Sequence, residues 1–277
     1  MIPPSTILDT IARWITYLLT KPSSGYEPFT PSDPITLSRV LQPGDVLLVE
    51  GNHKLASAIK YLTQSTWSHS ALYVGNFAGT SSADEEPNVL IEANLSDGVV
   101  AVPLSKYQSF NTRICRPAGL SLEDRRKVVA YALDRLGHRY DTRNVFDLAR
   151  YLFPTPPVPV RWRRRMIALG SGDPTRTICS TLIAGAFESV RFPVLPRIEI
   201  VPDESRALSN YSRREILHIR DRSLFVPRDF DVSPYFSIVK PTIECGFDYR
   251  TLHWAEQPDP ETPQSGGDKK PQRTVIL

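Results

Sequence analysis

The chain is cut into short apolar runs that turn residues stop before any could become a long helix. Pro43-Gly44-Asp45 is followed by VLLVEG, which ends at Gly51. His69 to Gly75 reads HSALYVG, Val89 to Ala93 reads VLIEA, Gly98 to Val102 reads GVVAV, and Arg113 to Arg116 reads RICR. Runs of this length, bounded by Gly, Pro, Asn and Asp, are the pattern of strands. Between the first two, residues 54–63 (KLASAIKYLT) place Leu55, Ala58, Ile59 and Leu62 on one helical face. The first part of the chain therefore reads β-α-β-β-β-β.

A helical part follows. Residues 121–137 (SLEDRRKVVAYALDRLG) carry Ser121 as N-cap, with Asp124 completing a capping box. Val128, Ala132, Leu133 and Leu136 supply the buried face, and Gly137 is a C-terminal stop. Residues 144–152 form a second helix ended by Pro154, and residues 178–190 (ICSTLIAGAFESV) read as a buried helix stopped before Pro193. The 25 prolines collect near the N-terminus, around 154–159 and in the tail, where they imply extended chain. The expected organisation has four parts. Residues 1–40 are an amphipathic helix and linker, and 41–196 a catalytic-type domain. Residues 197–255 are an extension packed on it, and 256–277 a disordered tail.

Composition narrows the function classes. The 277 residues, 41% hydrophobic and 23% charged, suit a soluble globular protein with a proper core. A net charge of +3 argues against nucleic acid as a partner. The RWRRR cluster at 161–165 is equally well explained as solvated surface. Three cysteines, Cys115, Cys179 and Cys245, are too few and too far apart for a disulfide framework or a zinc site. They suit the cytoplasm. Residues 6–19 place Ile7, Leu8, Ile11, Trp14, Ile15, Leu18 and Leu19 on one wide face. That face either packs on the domain or lies on a membrane surface as a peripheral contact.

The chemistry points to Cys179. It falls in the first turn of the 178–190 helix, where unpaired N–H groups and the helix dipole favour thiolate over thiol. The same N–H groups can hold an oxyanion. A cysteine in such a place is also a common inert core residue. A nucleophile needs a base, and His69 opens an apolar strand, so its side chain sits at a rim on a fixed backbone. Glu92 stands alone among Leu90, Ile91 and Ala93. An acid there needs a partner or an exit to solvent. If the two strands form a hairpin across 76–88, Glu92 can sit opposite His69 and orient it. Tyr140, in LGHRYD, either lines a pocket or simply packs.

Taken together, GDVLLVEG, LTQSTWSHSALYVG, VLIEANLSDGV, LGHRYD and ICSTLIAGAF resemble the YiiX/YebB-like branch of the NlpC/P60 superfamily, the circularly permuted papain-like cysteine hydrolases. The resemblance covers about residues 41–196. It implies an α+β fold in which a Cys-bearing helix packs on an antiparallel sheet, with the His strand first and the Cys helix last. By motif it assigns Cys179 as nucleophile, His69 as base and Glu92 as orienting residue. Tyr140, Ser180 and Trp67 become substrate-binding candidates. It requires no cofactor and no metal. Residues 1–40 and 197–277 have no counterpart in the compact family domain.

Three functions compete. The first is hydrolysis of a peptide-like or cell-wall-type amide; at a cytoplasmic address this means a recycled fragment or an isopeptide. The second is a lipid-directed thioesterase or acyltransferase at a membrane surface, which residues 6–19 and 161–165 would suit. The third is a non-catalytic binding module, against which the joint presence of Cys, His and Glu weighs.

Overall fold

A computed structural model describes residues 17–18, 21–22, 26, 28–29, 33–78, 86–94, 97–138, 178–202, 213–218 and 225–253. The expected features at 144–152, 161–165 and 256–277, and all of the 6–19 helix except residues 17 and 18, lie outside them. The fold is α+β, built on one antiparallel sheet of six strands: β1 (Val46–Val49), β2 (His69–Tyr73), β3 (Asn88–Asn94), β4 (Gly98–Pro103), β5 (Thr112–Pro117) and a late strand, β8 (Phe236–Val239). Their order across the sheet is β4-β3-β2-β1-β5-β8. Strands β6 (Arg197–Pro202) and β7 (Arg213–His218) pair separately as an antiparallel hairpin.

Both faces of the sheet are covered, which is why β1 reads as an unbroken apolar run rather than an alternating one. On one face Val46, Leu48, Leu72, Ile91 and Cys115 pack under two helices, α3 (Leu122–Leu133) and α4 (Ile178–Ser189), through Val128, Ala132, Ile183 and Phe187. On the other face Leu47, Val49, Ala71, Leu90 and Ile114 meet Leu37 of α1 (Pro34–Val40). They also meet Leu104 and Tyr107, the ends of a 3₁₀ turn at Leu104–Tyr107. Helix α2 (Lys54–Thr63) is capped by the ring of His53, which accepts from the Ala56 N–H at 3.1 Å.

Two expectations change. The end of the 1–40 segment is not linker, because α1 forms within it. Asp33 caps α1 through the Thr36 N–H at 3.0 Å, and Pro34 stands in the first turn; both are start signals of a helix. The 121–137 helix is shorter at its end. Ser121 caps it as expected, accepting from the Asp124 N–H at 3.0 Å, but it stops at Leu133. The chain then turns through Gly137, at φ +78°, so that Gly137 N–H can reach the Val99 carbonyl on β4.

Residues 225–239 belong to the same core. Phe230 and Phe236 join the helix-side cluster. Asp231 receives the Trp67 indole N–H at 3.1 Å and Arg113 Nη1 at 2.7 Å. Among the described residues no helix is long and apolar enough to cross a membrane.

The Gly44-Asp45 turn is pinned by a buried ion pair. Gly44 takes φ +93°, a conformation glycine reaches without strain. Asp45 is fully buried. It accepts Arg116 Nε at 3.0 Å and Nη2 at 2.7 Å from β5, and the Gln42 N–H at 2.9 Å. Removing one member of such a pair strands the other charge. Asp45→Ala is therefore expected to lower unfolding free energy by about 3 kcal/mol in urea titration. A loss below about 1 kcal/mol, the level of an exposed pair, would contradict this account.

Candidate active site

His69 and Glu92 leave adjacent strands on the same face. Strands β2 and β3 pair at Leu72↔Ile91 and Tyr73↔Leu90. Continued by one step, that register puts Glu92 across from Ala71, two residues along from His69. The expected hairpin forms, but the two side chains meet on a diagonal rather than directly opposite, a distance long side chains span. His69 Nε2 and Glu92 Oε2 are 3.2 Å apart.

Glu92 is 1% exposed. Its charge is met by three groups. His69 and the Tyr107 hydroxyl bond Oε2, and Lys106 Nζ bonds Oε1. Burial alone would raise its pKa, but His69 and then Lys106 hold it well below the usual carboxylate range. Lys106 and Tyr107 were not among the residues singled out from the sequence. The signal was present in the turn LSKY. In a 3₁₀ turn residues i and i+3 eclipse, so Leu104 and Tyr107 both bury while Lys106 between them stays 40% exposed.

Cys179 sits in the first turn of α4, on the helix-covered face of the sheet. Ser70, whose side chain points to that face, lies 3.3 Å from Ser180 Oγ, which brings the start of α4 against β2. The His69 ring and the hydroxyl and backbone of Ser70 lie near enough to the sulfur to favour its thiolate. Since Nε2 of His69 is engaged with Glu92, Nδ1 is the ring nitrogen left for the sulfur. Burial pushes the Cys179 thiol up, but the His69 imidazolium and these contacts bring it below its ordinary value. For His69, burial works against the charge, yet the Cys179 thiolate and Glu92 raise it to about 10. Such an arrangement can hold a thiolate beside an imidazolium, with a carboxylate on the far side of the ring.

The structure thus brings Cys179, His69 and Glu92 together. It places Trp67 and Ser180 elsewhere than expected. Trp67 lies in the core with its N–H spent on Asp231 and the Arg113 guanidinium 4.9 Å from its ring. Ser180 is fully buried against Ser70, so its part is to seat the helix. Tyr140 lies outside the described residues. Cys115 is buried in β5, where desolvation pushes its thiol up, and Cys245 is exposed. Among the described residues no three His, Cys, Asp or Glu side chains cluster as metal ligands.

An antiparallel sheet backed by a Cys-bearing helix, with the His strand before that helix in the chain, is the permuted papain-like architecture. Residues 40–152 match the family described as permuted papain-like amidase enzyme, YaeF/YiiX, C92 family. Over that stretch the chain is similar to the permuted papain-like amidases of that family. The matched stretch holds His69 and Glu92 and stops short of Cys179. Among solved structures, metalloprotein YiiX from Escherichia coli O157:H7 aligns at 17% identity and TM-score 0.42, over 72% of this chain and 96% of that one. No curated protein matches the chain.

Alkylation by iodoacetamide, followed cysteine by cysteine with peptide mass spectrometry, reads the pair directly. Near pH 6 Cys179 should react at least about tenfold faster than a thiol of pKa ~8.5 would. His69→Ala should remove that advantage. A Cys179 rate equal to that of exposed Cys245 at every pH would mean the pair is not assembled.

Proposed function

We propose that the protein is a cysteine amidase that cleaves a peptide-like or cell-wall-type amide through Cys179, His69 and Glu92. The observation that carries the proposal is the chain of contacts from the Cys179 sulfur through the His69 ring to the buried Glu92 carboxylate. Cys179 thiolate attacks the amide carbonyl carbon, and N–H groups at the start of α4 hold the developing oxyanion. The C–N bond breaks as protonated His69 gives its proton to the leaving amine. A thioester remains on Cys179. Neutral His69 then takes a proton from water, whose oxygen attacks the thioester carbonyl and releases the acid, restoring the thiolate and the imidazolium. Glu92 keeps the ring in register throughout and stabilises its positive charge.

The substrate is a small molecule rather than nucleic acid, and the site residues need no cofactor for these steps. The lipid-directed thioesterase reading places the same three residues on a lipid acyl ester, with residues 6–19 as the membrane contact. The family match is to amidases. The amide reading is therefore preferred.

Assays on a panel of amino-acid amides, short peptides and acyl thioesters decide between them. Amides should be turned over, and Cys179→Ala should lower kcat/KM by at least about a thousandfold. Glu92→Gln should lower it by about a hundredfold or more, since the ring loses its orienting charge. The pH profile follows from the ion pair. Activity rises as Cys179 loses its proton below the ordinary thiol range and falls as His69 loses its own near pH 10. Full amidase activity in Cys179→Ala would end the proposal, and turnover of thioesters alone would favour the lipid reading.

A further inference from the structure

Glu92 has more partners than a residue that only orients a histidine requires. A carboxylate accepts about four hydrogen bonds, and three are filled here by His69, Tyr107 and Lys106. Lys106 is the only one of the three that is a permanent cation. Its ammonium enters from the exposed side of the 3₁₀ turn and bonds Oε1, the oxygen that neither His69 nor Tyr107 uses. The turn is fixed on both sides of it, by Leu104 and Tyr107 in the core. The Tyr107 ring lies 6.2 Å from His69 and 5.9 Å from Phe110, centre to centre, so its hydroxyl is aimed by packing.

The formal charges explain the need. A Cys179 thiolate, a His69 imidazolium and a Glu92 carboxylate sum to −1 in a site where Cys179 and Glu92 are buried. An unbalanced charge there is expensive. Adding the Lys106 ammonium brings the sum to zero.

We propose that Lys106 is a positioning residue that sets the charge balance of the site, with Tyr107 as the neutral donor that fixes the second carboxylate oxygen. The catalytic reading rests on Cys179, His69 and Glu92 as above; this inference adds that the carboxylate is itself held by a built-in counter-ion. Lys106 touches no reacting atom. It acts on His69 and Cys179 only through Glu92 and through space.

Removing a cation raises the pKa of every acid near it, whichever proton is being lost. In Lys106→Met, which keeps the stem but not the charge, the acid limb of Cys179 alkylation should move up by about one pH unit. Lys106→Arg should put it back. Tyr107→Phe should give a smaller shift of the same sign. The second readout is the NMR titration of the His69 ring nitrogens in a Cys179→Ala background, where Lys106→Met should again move the midpoint up. A merely structural role for the lysine stem would move neither, and Lys106→Gln repeats the comparison if the Met variant does not fold. Unmoved limbs in Lys106→Met, or the same shift in Lys106→Arg, overturn the inference. The two readings fail separately. A wild-type Cys179 that alkylates like an ordinary thiol sinks the hydrolase, while the His69 titration still decides the charge role of Lys106.

Discussion

A carboxylate placed within a sheet of aliphatic side chains must be neutralised, paired or protonated. Glu92 is that carboxylate, and much of the site is arranged around it. Strand β2 brings a ring nitrogen to one oxygen, and the 3₁₀ turn after β4 brings a hydroxyl to the same oxygen and an ammonium to the other. Each partner comes from a different stretch of chain. The carboxylate is therefore a joint between β2, β3 and that turn as well as an electrostatic element. Its charge favours a protonated His69 ring.

The sheet solves a second problem, which is how groups from its two faces come to touch. His69 points to the face covered by α1 and the 3₁₀ turn, whereas α4 lies on the other. Among the described residues the β2–β3 ladder is recorded at Leu72↔Ile91 and Tyr73↔Leu90, away from the His69 end. Ser70 and Ser180 draw the first turn of α4 to that end, and Cys179 reaches the His69 ring. The opposite half of the sheet is stiffened by other means. Asp45 and Arg116 tie the turn before β1 to β5, and Asp231 ties Trp67 and Arg113 to the segment that ends in β8. These ion pairs hold the frame against which the site is measured.

Local signals in the sequence were read where one element carries the whole reason. Ser121 caps its helix because hydroxyl and N–H lie three residues apart in the same chain. Strands β1 to β5 were visible as short apolar runs between turns. Glu92 stood out because a lone acid in VLIEA has no local partner. Two expected substrate-binding residues have their bonds far away in the chain. Trp67 and Ser180 flank residues of chemical interest, and proximity in sequence suggested a share in the site. Their true partners, Asp231 and Ser70, are 164 and 110 residues away. Lys106 and Tyr107 went unnoticed for the converse reason: they lie 14 and 15 residues from the acid they serve, in a turn with no motif of its own.

The amino-acid order by itself determined strands β1 to β5 and helices α2 to α4, that Cys179 opens a helix, and that Glu92 would need a partner. Those properties depend on periodicity, capping and the cost of burying a charge, all of which act within a few residues. Tertiary structure decided which groups answer Glu92 and that the Trp67 indole N–H is spent on Asp231. Those outcomes depend on the diagonal register of β2 against β3 and on which face of the sheet each helix covers. Contacts between distant segments settle both, and no short stretch of sequence encodes them.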